Sequence, residues 1–122
     1  MKVFYISIMY KNLNKATLLT SAYDLSSFGF FQRTSVLEYM NMTAHEIVER
    51  AEKCAKYSVK EQSYLLHCYV RSDNLAAFCI CDDEYPTRAA FSFMTKILSE
   101  FSEKYTPRNW AEASRDSLPL DL

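Results

Sequence analysis

The sequence predicts an α+β fold carried on a mainly antiparallel sheet, on three observations. Short runs dense in β-branched and aromatic residues follow one another across tight turns, as hairpin-linked strands do. Two longer stretches carry apolar residues at helical spacing and separate those runs. With one glycine and three prolines in 122 residues, 49% of them hydrophobic, the chain has the means to bury a core and little linker-like sequence.

Residues 3–10 (VFYISIMY) read as the first strand. Asn12-Leu13-Asn14 supplies a turn, because Asn tolerates the left-handed backbone region. Residues 15–23 read as the returning strand, although Ala16, Thr17 and Leu18 also suit a helix. Ser26 to Arg33 connects, and Phe28, Phe30 and Phe31 around Gly29 are expected to tuck that loop onto the core. A helix follows over 34–53, with Thr34 or Ser35 as its cap and Glu38 completing a capping box with Ser35. Its expected buried stripe is Val36, Met40, Thr43, Ile47 and Ala51, a band roughly 80° wide.

Tyr57 to Gln62 reads as a short strand, followed by Tyr64 to Arg71 and, after the turn at 72–74, by Leu75 to Cys81. The last two are apolar almost without interruption, so they are expected to be covered on both faces. Pro86 suits the start of the second helix, which runs to about Tyr105 and buries Ala90, Met94, Ile97, Leu98, Phe101 and Tyr105. Pro107 ends it, and Trp110 is expected to anchor a short terminal helix or loop. The domain is expected to span 1–116, with 117–122 a frayed tail or the start of a linker.

Charge and length exclude several functions. Fourteen basic and fifteen acidic residues give a formal net charge of −1, a balance that gives no general reason to expect nucleic acid, whose phosphate backbone needs a concentrated positive face. The apolar run Val3 to Tyr10 is far short of the roughly 20 residues a membrane span needs, and it lacks the features of a secretory signal. A cytosolic protein is expected, with Cys54, Cys68, Cys79 and Cys81 as reduced thiols.

The catalytic inventory is nearly empty. His67 and Cys68 are strand neighbours that point to opposite faces, so they cannot pair as imidazole and thiolate. His45 and Glu49 form an ordinary helix-surface pair. Cys79-x-Cys81 puts two sulfurs on one face, but no second ligand pair has zinc-type spacing, so neither metal nor cofactor is expected. One glycine leaves no phosphate loop, and Asp82-Asp83-Glu84 reads as a solvated turn. An enzyme using Cys68, Cys79 or Cys81 as nucleophile stays the remote alternative.

Surface chemistry is what remains. Helical arithmetic places Tyr39 roughly 80° and Met42 roughly 140° from the centre of the expected buried stripe. One exposed methionine is ordinary. Alternatively, Tyr39 and Met42 line a groove beside a strand edge carrying Tyr57 and Val59, open to an extended or helical peptide.

Ala22-Tyr23-Asp24-Leu25-Ser26-Ser27-Phe28, Phe30-Phe31-Gln32-Arg33, Ile47-Val48-Glu49-Arg50, Ser58-Val59-Lys60-Glu61-Gln62, Tyr69-Val70-Arg71 and Glu84-Tyr85-Pro86-Thr87-Arg88 together resemble the longin domains of prenylated SNAREs of the YKT-six type. The resemblance covers about residues 1–105 and thins beyond Trp110. It implies a profilin-like fold, a five-stranded sheet with one helix on one face and two on the other (order β-β-α-β-β-β-α-α).

It also implies a non-catalytic regulator of membrane fusion. Its groove, formed here by Tyr39, Met42, Tyr57 and Val59, would receive a SNARE core helix, its own or a partner's, and a prenyl or fatty acyl chain. Covering such a lipid has a physical motive: at about 0.8 kcal/mol per CH₂, an exposed farnesyl chain costs on the order of 10 kcal/mol. Peripheral association with Golgi, ER or vesicle membranes follows. Relatives commonly carry an aromatic at the position of Met42, so groove shape is expected to differ here. SNARE heptads and a lipidation box are missing from these 122 residues, which suits either a domain of a longer protein or a short regulatory form. A permanent subunit of a coat or tethering complex is the second reading.

Overall fold

A computed structural model describes residues 2–120. Its elements are β1 (Val3–Asn12), β2 (Lys15–Tyr23), a single 3₁₀ turn (Phe30–Gln32), α1 (Arg33–Arg50), β3 (Ala55–Glu61), β4 (Tyr64–Val70), β5 (Leu75–Asp82), α2 (Thr87–Lys104) and α3 (Pro107–Glu112). The strands form one sheet in the order β2-β1-β5-β4-β3, and every neighbouring pair is antiparallel. β5, at the centre, is buried at every position but its last. β3, at one edge, is exposed along nearly its whole length.

The sheet divides the core in two. On one face α1 packs Met40, Ala44 and Val48 onto Tyr5, Met9, Leu66, Cys68 and Phe78. On the other, α2 and α3 pack Met94, Leu98, Phe101 and Trp110 onto Ile6, Ile8, Leu75, Ala77 and Cys79. One helix on one face and two on the other is the layout the resemblance implies.

Four expectations about caps, turns, loops and the tail give way. The expected capping box is absent: the chain enters α1 straight from the 3₁₀ turn, Gln32 takes the cap position without a side-chain bond, and Ser35 lies inside the helix. In the first hairpin it is Leu13, not an asparagine, that adopts the left-handed conformation (φ 57°). Only Phe28 of the three loop phenylalanines reaches the core, edge-on to Phe4 at 6.0 Å. Phe30 and Phe31 are 73% and 95% exposed, because the 3₁₀ turn directs them outward, where they meet edge-on at 5.4 Å.

The fourth concerns the tail. Residues 117–120 lie against the molecule. The Leu118 amide donates to the Leu19 carbonyl of edge strand β2, the Tyr105 hydroxyl donates to the Pro119 carbonyl at 2.7 Å, and Leu118 and Leu120 rest on the α2 side of the core. Residues 121 and 122 of the expected tail lie outside the described residues.

Tyr5 joins α1 to the sheet. Its fully buried hydroxyl donates to the Asn41 side-chain oxygen at 2.6 Å, and burial pushes the phenol up to about 12 from an ordinary value of 10.0. The folded chain therefore resists losing this proton more than the unfolded chain does. The associated stability is fully present below pH 10.0 and is lost as pH rises toward about 12, an interval worth roughly 3 kcal/mol. Urea midpoints measured across that interval should fall for wild type and fall less for Tyr5→Phe.

Candidate functional site

α1 packs chiefly over β2, β1 and β5, which leaves the same face of β3 uncovered. Between the helix and that edge runs an apolar cleft of about 380 Å³. Val36, Tyr39, Met40 and Thr43 contribute from α1, Leu66 and Tyr64 from β4, and Ile80 from β5, while Phe28 closes one end. Ser35, Tyr39 and Thr43 follow one another at intervals of four, which is one row along a helix. The Tyr39 hydroxyl donates to Glu61 at 3.1 Å and so bridges from α1 to β3.

Antiparallel register extends this surface outward. Tyr57, Val59 and Glu61 pair with Cys68, Leu66 and Tyr64, and directly paired residues share a face. All three β3 residues therefore stand on the α1 side, as a shelf beside the cleft. Val59 is 48% exposed and Tyr57 37%, the latter accepting a hydrogen bond from the Glu52 amide at 3.3 Å.

The structure thus brings Tyr39, Tyr57 and Val59 to one surface. Met42, 61% exposed, faces a different depression, of about 600 Å³, among Glu38, His45, Glu46 and Arg115. The reason lies in how α1 is rotated. Its buried line is Met40, Ala44 and Val48, displaced by roughly 60° from the expected stripe. That rotation makes Val36 and Thr43 walls of the cleft and carries Met42 to the outward side of the helix. Leu66 and Ile80, the cleft's floor, have no separate signal in the sequence, since only register distinguishes them from other apolar strand residues.

The thiols and histidines do not converge on a reaction centre. Burial pushes the Cys68 thiol up to about 12, which keeps it protonated and unreactive. Cys79 also goes up, through its hydrogen bond with Cys81 (3.8 Å) and through burial, and it packs its sulfur on Met94 at 3.4 Å. His67 faces α2 while Cys68 faces α1. Among the described residues, no group of three or more histidine, cysteine or carboxylate side chains is placed to hold a metal ion, and no helix is long and apolar enough to cross a membrane.

Comparison with known proteins agrees with this architecture. Residues 25–121 match the family model of Longin, described as a regulated-SNARE-like domain. The chain is 38% identical over 122 residues to the protein named "Synaptobrevin homolog YKT6" in Yarrowia lipolytica, aligning along 100% of its own length and 61% of that relative's. Proteins of the same name in Debaryomyces hansenii and Schizosaccharomyces pombe are each 39% identical, over 93% and 90% of this chain and 57% and 56% of theirs. The chain therefore spans little more than half the length of these curated relatives.

Proposed function

Since the chain belongs to the longin family of regulated-SNARE-like domains, we propose that it is a non-catalytic regulatory domain of a vesicle-trafficking SNARE, and that its cleft holds an apolar partner segment. The observation that carries this is the open strip between α1 and β3, floored by Leu66 and Ile80 and flanked by Tyr39, Tyr57 and Val59. A cleft of about 380 Å³ lies at the small end of the roughly 300–1,000 Å³ usual for ligand sites, and the shelf on β3 lengthens it.

Two occupants suit this chemistry. An amphipathic SNARE helix, from the same protein or another, would seat its apolar residues in the cleft and leave its polar face in water. A prenyl or fatty acyl chain would gain about 0.8 kcal/mol per CH₂ covered, enough to keep a lipidated protein off membranes until the groove is vacated. Control of targeting and fusion on Golgi, ER or vesicle membranes follows from either. The relatives' name places them among synaptobrevin homologues, which supports the same reading.

Titrating a labelled SNARE-motif peptide, and separately a soluble farnesyl analogue, into three proteins tests the site. Tyr39→Glu should weaken binding at least tenfold, because a desolvated carboxylate would border the cleft. Met42→Glu should stay within about threefold of wild type, since its side chain points elsewhere. Equal affinity of wild type and Tyr39→Glu for both probes would overturn the cleft as the binding site.

A further inference from the structure

His67 sits in β4 with none of its surface exposed, beside the edge strand on the face opposite the cleft. Its Nδ1 lies 2.8 Å from the Ser58 hydroxyl of β3, its ring meets Phe91 of α2 edge-on at 5.2 Å, and its buried Nε2 has no hydrogen-bond partner. A buried polar atom left unpaired is uncommon and costly. Protonation would raise that cost, because it adds a positive charge while the Ser58 hydroxyl, the one side-chain partner among the described residues, meets Nδ1 and leaves Nε2 unpaired.

Among the described residues, the elements packed around the ring offer an imidazolium no counter-charge. From β3 the residues on this face are Lys56, Ser58 and Lys60, paired with Tyr69, His67 and Leu65. Lys56 holds its ammonium over the Tyr69 and Phe91 rings, at 5.0 and 5.8 Å. From β5 come the thiols of Cys79, opposite His67, and Cys81. From α2 come Phe91 and, one turn earlier, the exposed Arg88. These are three cations, a phenol and two thiols, with no carboxylate among them.

We propose that His67 is an acid-sensitive latch for the edge strand: neutral, it holds β3 to the sheet through Ser58, and on taking up a proton it releases β3 while the other four strands stay paired. β3 is the element that yields because it has one neighbour only and buries almost nothing. Peeling it away would bring His67 to water, since Ser58, its partner on β3, already stands at the surface. Burial holds the imidazole below its ordinary 6.5, so the closed strand binds the proton less readily than the opened one. Attachment of β3 is therefore strongest above pH 6.5 and weakens as pH falls below it. Val59 and Glu61 leave with β3, so acid would also dismantle one wall of the cleft. That consequence rests on the function proposed above, whereas the latch does not.

Amide hydrogen exchange followed by NMR between about pH 7.5 and about pH 5, with rates normalised for intrinsic exchange, tests the latch without any ligand. Protection of β3 amides, and of β4 amides that pair with them, should drop by roughly tenfold per pH unit below 6.5, while β1, β2 and β5 keep theirs. In His67→Gln, which does not titrate, that slope should vanish. Should this variant not fold, direct NMR titration of the wild-type ring decides: a midpoint at or above 6.5 overturns the proposal. So does β3 protection that is flat with pH, and so does protection lost evenly across all five strands, which is global unfolding.

Discussion

Trp110→Ala is expected to lower folding stability by about 3–5 kcal/mol, read as a lower urea midpoint with an unchanged slope. Trp110 is the largest fully buried side chain of the molecule, although α3 is only six residues long. The helix is set up locally by Thr106, whose hydroxyl accepts from the Asn109 amide while the Asn109 side chain accepts from the Thr106 amide. It is held globally by the indole, which packs near Phe101 and Tyr10 and donates its N–H to the Tyr105 carbonyl at 3.0 Å. Truncation would leave a void between α2, α3 and β1 and strand that carbonyl. Trp110→Phe keeps most of the packing and should cost roughly 1–2 kcal/mol, mainly for the lost hydrogen bond. A loss below 1 kcal/mol in Trp110→Ala would show that α3 docks loosely and contributes little to the fold.

How far the sequence carried differs by level. The strands were legible because their cues are local: VFYISIMY and LAAFCIC are too apolar and too short to be anything but strands in a chain with two obvious helices. Order and layout followed, since hairpin turns leave few topologies. Finer geometry was set by tertiary contacts that no single segment contains. Val36, Thr43 and Ile47 fit a helical stripe as well as Ala44 and Val48 do, and only the sheet beneath α1 decides which set turns inward. The phenylalanine loop misled for a related reason: hydrophobicity predicts burial on average, while the 3₁₀ turn determines where Phe30 and Phe31 point.

Half of the candidate site was likewise readable. Helical arithmetic marks Tyr39 as bordering the core face of α1, the expected groove adds Tyr57 and Val59 from the strand edge beside it, and all three lie on one surface. Met42 stood out by the same rule and lies on another, because a residue far from the core can sit on either flank of a helix. Met40 belongs to the expected buried stripe, and Leu66 and Ile80 lie in the two strands expected to be covered on both faces. They are core and cleft floor at once, their exposure of 5–6% marking where packing ends and the groove begins.

That dual role gives the second large effect. Phe78→Ala is expected to cost about 3–5 kcal/mol, with Met40→Ala near the low end for its type, roughly 2 kcal/mol. Phe78 lies at the middle of the central strand, flanked by Ser7 on β1 and Cys68 on β4, with its ring against Tyr5 at 6.1 Å. The space it vacates is sealed by the sheet and α1, so the surrounding contacts are lost outright. Met40 packs on the same core but also lines the cleft. Its truncation merges the new space with a groove already open to solvent, where neighbouring side chains can move in. The difference, measured by urea denaturation of both variants, reports how deep the cleft reaches. Were Met40→Ala to cost as much as Phe78→Ala, the floor would be closed in solution, and any occupant would have to lie across Tyr57 and Val59 on the β3 shelf instead of entering beneath Tyr39.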